Sequence, residues 1–210
     1  MVTKKRIPKK KIQKKSKNAK MMINNSVKKS NKIFALKTNV EHWSSKKMKL
    51  IDKLLTSKKV NLLDIAWANC ELLKNDKNHF TWRGLKNFVD LLLNKCLFYG
   101  IYNIHIISDS TIAWWNYDND GNFTNAASNL VVDEFRKKGI KATIQAINGT
   151  GFKRRYEEDL DFASLLKNND SNFKNTNILI VGGWNDEVHN NIEIKEGIEK
   201  FMNIYKIKKC

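Results

Sequence analysis

The sequence predicts an α/β domain built on a parallel sheet. Short apolar runs alternate with stretches of helical periodicity, glycine or polar turns separate them, and several runs end on an acidic residue. Strands separated by helices pair in parallel through right-handed crossovers. The strand ends of such a sheet form the crevice where ligands bind. Asp64 after Val60 to Leu63, Asp109 after Ile104 to Ile107, and Asp186 after Ile178 to Val181 therefore mark the predicted functional edge.

Residues 1–40 carry fourteen Lys or Arg and no Asp or Glu, so they hold fourteen of the eighteen net positive charges. Runs such as Lys9, Lys10 and Lys11 repel one another and offer little to bury, which predicts a disordered basic arm. Residues 41–57 read as a helical linker, with Met48, Leu50, Ile51, Leu54 and Leu55 at helical spacing after Ser44 or Ser45. The folded domain is expected over 58–210. Val60 to Ala68 is apolar apart from Asn61 and Asp64 and reads as the first strand. Arg83 to Phe98 repeats apolar residues with helical spacing, and Gly100 closes it.

Ile101 to Ile107 is the second strand, Trp114 to Asn125 an aromatic and polar loop, and Ala126 to Lys138 a helix ended by Gly139. Ile140 to Ile147 is the third strand and Asn148 to Arg155 a glycine-containing basic loop. Tyr156 to Leu166 reads as a helix opened by Glu157, Glu158, Asp159 and Asp161. Asn177 to Val181 is the fourth strand, and Ile192 to Tyr205 the final helix. The sheet thus has about four strands.

Cys70, Cys96 and Cys210 are odd in number and form no CxxC pair, which argues against disulfides and zinc ribbons. No apolar run approaches the roughly 20 residues of a membrane span, and no signal-peptide core is present at the start. The chain reads as an intracellular protein, cytoplasmic or nuclear, without a membrane partner. Converging carboxylates repel unless a proton or cation sits among them, and hard oxygen ligands favour Mg²⁺ or Mn²⁺. Such an ion polarises a phosphodiester and activates a bound water.

Three stretches resemble the NYN branch of PIN-like nucleases, most of all the ribonuclease domain of Regnase-type proteins. They are Asn61 to Asp64, Phe80 to Leu93 with its Arg83-Gly84 helix start, and Ile101 to Ile107. The resemblance continues through the basic loop Gly149 to Asp159 and ends at Leu179 to Asp186. It implies a three-layer PIN-like domain acting as a metal-dependent endoribonuclease on single-stranded or loop RNA, with DNA as a further substrate class.

By that resemblance Asp64, Asp159 and Asp186 hold the Mg²⁺ or Mn²⁺ and are catalytic, with Glu158, Asp161, Asn185 and Asn69 as further candidates. Lys153, Arg154 and Arg155, together with the arm's Lys9, Lys10 and Lys11, would meet the phosphate backbone. Trp67 and Trp184 stand where the family carries polar or acidic residues. They support a second reading, a catalytically weakened PIN-like nucleic-acid-binding protein.

A third reading comes from a different enzyme class. Ser108-Asp109-Ser110-Thr111, Gly149 and Gly183-Trp184-Asn185-Asp186 resemble the blocks of SGNH-type esterases, which would make Ser110 a nucleophile and Asn185 an oxyanion donor. That family's Asp-x-x-His motif is expected after further strands, where this chain has only His189 and one helix. His79, His105 and His189 show no ligand spacing and read as ordinary. Asp118 to Asn122 resembles a calcium loop without its bidentate Glu, and so reads as a polar turn. Trp114 and Trp115 read as core residues or as faces on which an unpaired base could stack.

Overall fold

The computed structural model describes residues 32–209 except 39, 41–43, 66–69, 77, 119, 170–172 and 174. The chain divides into residues 1–30 and 31–210, and everything described belongs to the second unit. Lys9, Lys10, Lys11, Trp67 and Asn69 lie outside the described residues.

The unit contains a five-stranded parallel sheet rather than one of four strands. Its strands are β1 (Ile33–Leu36), β2 (Asn61–Leu63), β3 (Asn103–Ser108), β4 (Lys141–Ala146) and β5 (Asn177–Val181). Their order across the sheet is β2-β1-β5-β3-β4. β1 is the strand missing from the sequence reading, where it fell inside the basic arm. Four apolar residues between Lys32 and Lys37 are too few to show a period, yet all four are buried because β1 sits between two neighbours.

The helices are α1 (Lys46–Ser57), α2 (Trp82–Phe98), α3 (Ser110–Ala113), α4 (Ala126–Lys137), α5 (Phe162–Asn168) and α6 (Asn191–Lys209). Single 3-10 turns follow α3 at Trp114–Asn116 and β5 at Trp184–Val188. No helix among the described residues is long and apolar enough to cross a membrane.

Alternation along the strands builds a core on each face of the sheet. Phe34, Leu36, Ile104, Ile106, Leu179 and Val181 point to one face, where α2 and α4 contribute Phe88, Leu92, Val131 and Phe135. Ile33, Ala35, Ile107, Ile178 and Ile180 point to the other, beneath α1, α5 and α6 with Ile51, Phe162 and Phe201. Helices on both faces leave the strand ends as the open edge.

Two elements depart from the expected boundaries. The segment read as a linker contains α1, whose Met48, Ile51 and Leu55 are buried and whose Asp52 accepts from Thr38 N at 2.8 Å and Thr38 Oγ1 at 2.9 Å. The domain therefore includes β1 and α1. The helix expected from Tyr156 begins instead at Phe162, because Asp161 is its N-cap and accepts from Ser164 N at 2.6 Å. Glu157, Glu158 and Asp159 lie in the turn before it.

Between β2 and α2 the chain makes a small antiparallel hairpin. Leu72 bridges Phe80, Leu73 N donates to His79 O at 2.9 Å, and Thr81 N donates to Glu71 O at 2.9 Å. Thr81 then caps α2, its hydroxyl accepting from Gly84 N at 2.9 Å. Gly84 lets the helix approach the hairpin, since a Cβ there would stand 2.0 Å from Glu71 O. Gly84→Ala should therefore destabilise the fold by about 1–3 kcal/mol in urea unfolding. An unchanged midpoint would show that this contact does not hold the hairpin.

Candidate functional site

All five strands end at one edge, and the loops that leave them form the candidate site. Asp109, directly after β3, is buried and caps α3. Its Oδ1 accepts from Thr111 N at 2.9 Å and Thr111 Oγ1 at 2.6 Å, while Oδ2 accepts from Gly183 N at 3.3 Å. The loop after β5 can pass this close only because residue 182 is glycine. At φ +144 a Cβ would lie 2.4 Å from Asp109 Oδ2.

Asp186, on the 3-10 turn after β5, is fully buried and clamps the loop after β4. One oxygen accepts from Phe152 N at 2.8 Å and the other from Lys153 N at 2.9 Å. Asn185 beside it donates Nδ2–H to Thr150 O at 2.9 Å, and a primary amide carries two N–H donors. Trp184 Nε1 donates to Thr38 O at 3.0 Å, tying in the loop after β1.

Burial pushes the Asp109 carboxyl up to about 6, against the lowering effects of Thr111, the Gly183 N–H and nearby His79. Burial likewise pushes Asp186 up to about 7, helped by the charges of Asp109 and Asp161 and opposed by its two backbone donors.

The sequence-predicted acids are dispersed. Asp64 is exposed after the edge strand β2 and pairs with Lys37 Nζ at 3.3 Å. Because β1 stands between β2 and β5, two strand spacings, roughly 10 Å, separate its strand from that of Asp186. Asp159 is half-buried beside Gly149 and accepts from Tyr156 N at 2.9 Å. Asp159 and Asp186 thus face the same loop, whereas Asp64 does not.

Asp161 is occupied as a cap and also accepts from Lys200 Nζ at 2.6 Å. Burial raises its carboxyl, but Lys200 and Ser164 outweigh this and hold it below the usual range. Glu158 is exposed on the surface that Arg154, Arg155 and Tyr156 line. Lys153 Nζ pairs with Glu196 at 3.4 Å, Arg154 reaches back to Glu157 O at 3.3 Å, and Arg155 lies over the Tyr156 ring. Among the described residues no group of three or more His, Cys, Asp or Glu is placed to hold a metal ion.

A different set of residues lies along α3 and the hairpin that precedes α2. Ser110 is the first residue of α3 and is half-buried. Trp114 follows four residues later, on the same side of this short helical run. Its ring stacks on His79, with centroids 3.9 Å apart and an interplanar angle of 18°. Trp115 Nε1 donates to Phe80 O at 2.9 Å, fixing the backbone next to His79.

His79 Nδ1 in turn makes a short hydrogen bond to Asp76 Oδ2. Asp76 Oδ1 accepts from Asn78 N at 2.9 Å. Burial raises the Asp76 carboxyl, but His79 and the Asn78 N–H hold it below its usual value. With Nδ1 occupied by Asp76, the other imidazole nitrogen is the one that can exchange a proton.

By spacing alone His79 reads as ordinary in the sequence. Its signal was Asp76-Lys77-Asn78-His79, an Asp-x-x-His spacing that lies before the other blocks rather than after them. Hydroxyl, imidazole and carboxylate in this sequence can activate an alcohol as a nucleophile. Asn185, after β5, and Thr150, after β4, join on the neighbouring strand ends.

The raised carboxyls fix a sign for pH dependence. A carboxyl held up to about 6 or about 7 in the fold, against its ordinary 3.8, keeps its proton longer folded than unfolded. Its contribution is present below about pH 4 and lost as pH rises through the folded value. Urea unfolding should show stability falling between pH 4 and 7.5, with a shallower fall in Asp186→Asn. An equally steep fall in that variant would remove Asp186 as a source.

Comparison with protein-family models, with curated proteins and with solved structures finds no match to this chain.

Proposed function

We propose that the chain is a serine hydrolase acting on carboxylic esters, with Ser110 as nucleophile, His79 as general base and Asp76 as the carboxylate that orients the imidazole. The single observation carrying this reading is the His79 imidazole, bonded to Asp76 through Nδ1 and stacked on Trp114 one helical turn from Ser110. His79 takes the Ser110 proton as Oγ attacks the ester carbonyl. The oxyanion that forms is met by the Asn185 amide, with the Ser110 backbone N–H as the second donor. Collapse expels the alcohol, which receives its proton from His79. Water then repeats the sequence on the acyl-enzyme and releases the acid.

The likeness to SGNH-type esterases extends to an Asp-x-x-His block, Asp76 to His79. That family carries Asp-x-x-His after further strands, whereas Asp76 and His79 precede Ser110 here. Carrying β1, α1, β2 and the hairpin to the far side of α6 restores the family order. It changes no strand neighbour, because β1 already lies beside β5 and β2 beside β1. The chain is accordingly read as a circularly permuted arrangement of those blocks.

The metal-dependent endoribonuclease is the second reading, favoured by Asp159 and Asp186 facing one loop with Lys153, Arg154 and Arg155 beside them. Both Asp186 oxygens already accept backbone N–H groups, so an ion there displaces them or binds through water. The weakened nucleic-acid-binding form keeps the same basic loop and arm without cleavage.

With p-nitrophenyl acetate as substrate, Ser110→Ala and His79→Ala should each lower kcat by roughly 10⁴-fold. Asn185→Ala should lower it by roughly 10²-fold. Chelation with EDTA should leave the rate unchanged. RNA cleavage in Mg²⁺ that is abolished by EDTA and by Asp64→Asn, Asp159→Asn or Asp186→Asn, without ester turnover, would instead establish the nuclease.

A further inference from the structure

We infer that Trp114 is a positioning residue for His79, holding the imidazole plane against the helical turn that carries Ser110; this rests on the hydrolase reading. The need for such a device follows from topology. His79 arrives on a hairpin that leaves β2, an edge strand, whereas Ser110 leaves β3, and both β1 and β5 lie between them. Strand register therefore does not bring the two together.

The two successive tryptophans after α3 attach the hairpin to the run that begins at Ser110. Trp114 stacks on the His79 ring at 3.9 Å and 18°, and Trp115 holds the next residue through its bond to Phe80 O at 2.9 Å. Trp115 also meets Trp82 edge-on, 5.9 Å away, where α2 begins. Because Ser110 and Trp114 belong to one continuous helical run, a shift of that run carries nucleophile and base together.

Core burial does not account for Trp114. Ile112 and Ala113 just before it are fully buried, whereas Trp114 is 40% exposed. Its defining contact is the imidazole. The indole face also suits the charge that His79 acquires when it takes the Ser110 proton, since aromatic faces attract cations. An aliphatic side chain at this position fills space but supplies neither a flat surface nor that attraction.

The test uses the full-length chain as the parent, Trp114→Leu and Trp114→Phe. The first readout is the NMR position of the carbon-bound ring protons of His79, assigned by their loss in His79→Gln. Stacking on indole shifts them upfield. They should move downfield in Trp114→Leu and keep most of the upfield shift in Trp114→Phe.

The second readout is turnover of p-nitrophenyl acetate. kcat should fall about 10- to 100-fold in Trp114→Leu with KM little changed, and recover substantially in Trp114→Phe. Parent-like His79 resonances in Trp114→Leu would overturn the inference, as would a loss confined to KM. A parent without ester turnover would sink the hydrolase reading, and the NMR shift would still decide whether Trp114 holds His79.

Discussion

The site depends on two carboxylates buried at the carboxyl edge of the sheet. Asp109 and Asp186 together accept from Thr111, Gly183, Phe152 and Lys153, which ties the loops after β3, β4 and β5 to one another. An isolated charge at such depth costs several kcal/mol; the donors offset part of it, and burial still holds both carboxyls above their ordinary range. The same closeness demands glycine around the carboxylates, since a Cβ at Gly151 would lie 2.8 Å from Asp186 Oδ2 and one at Gly182 2.4 Å from Asp109 Oδ2. Asn185 is set beside Thr150 by this clamp, and Ser110 begins the helix that Asp109 caps.

The clamp leaves one part of the site outside its reach. Asp76 and His79 come from the opposite side of the sheet on a short hairpin, and aromatic contacts rather than strand pairing attach that hairpin to α3. The hairpin is also fixed from below, where Thr81 joins it to α2 and Gly84 allows the close approach. Division of labour follows: a polar clamp positions Ser110 and Asn185, and an aromatic grip positions His79.

Much of this arrangement was legible in the residues. β3, β5 and α2 follow from apolar runs of sufficient length, and the functional edge follows from acids at the strand ends. β1 was not legible, because four apolar residues among lysines carry no periodicity and gain their identity only from the strands on either side. The start of α5 was misread because Glu157, Glu158 and Asp159 look like a first helical turn, whereas Asp161 is the cap. The acids are visible in the sequence but not their surroundings: Asp186 and Asp161 are engaged by protein donors, and Asp64 stands at the far edge with Lys37. Asp76 and His79 are hidden by chain order, since their Asp-x-x-His spacing precedes the blocks that it is expected to follow.

The central claim is that Ser110 is a nucleophile activated by His79. The most direct measurement is treatment of the protein with a fluorophosphonate, followed by peptide mass spectrometry to locate the adduct. The account predicts a single phosphonyl adduct on Ser110 that forms far more slowly in His79→Ala. Absence of any adduct on Ser110, or labelling at an equal rate in the His79 variant, would contradict it.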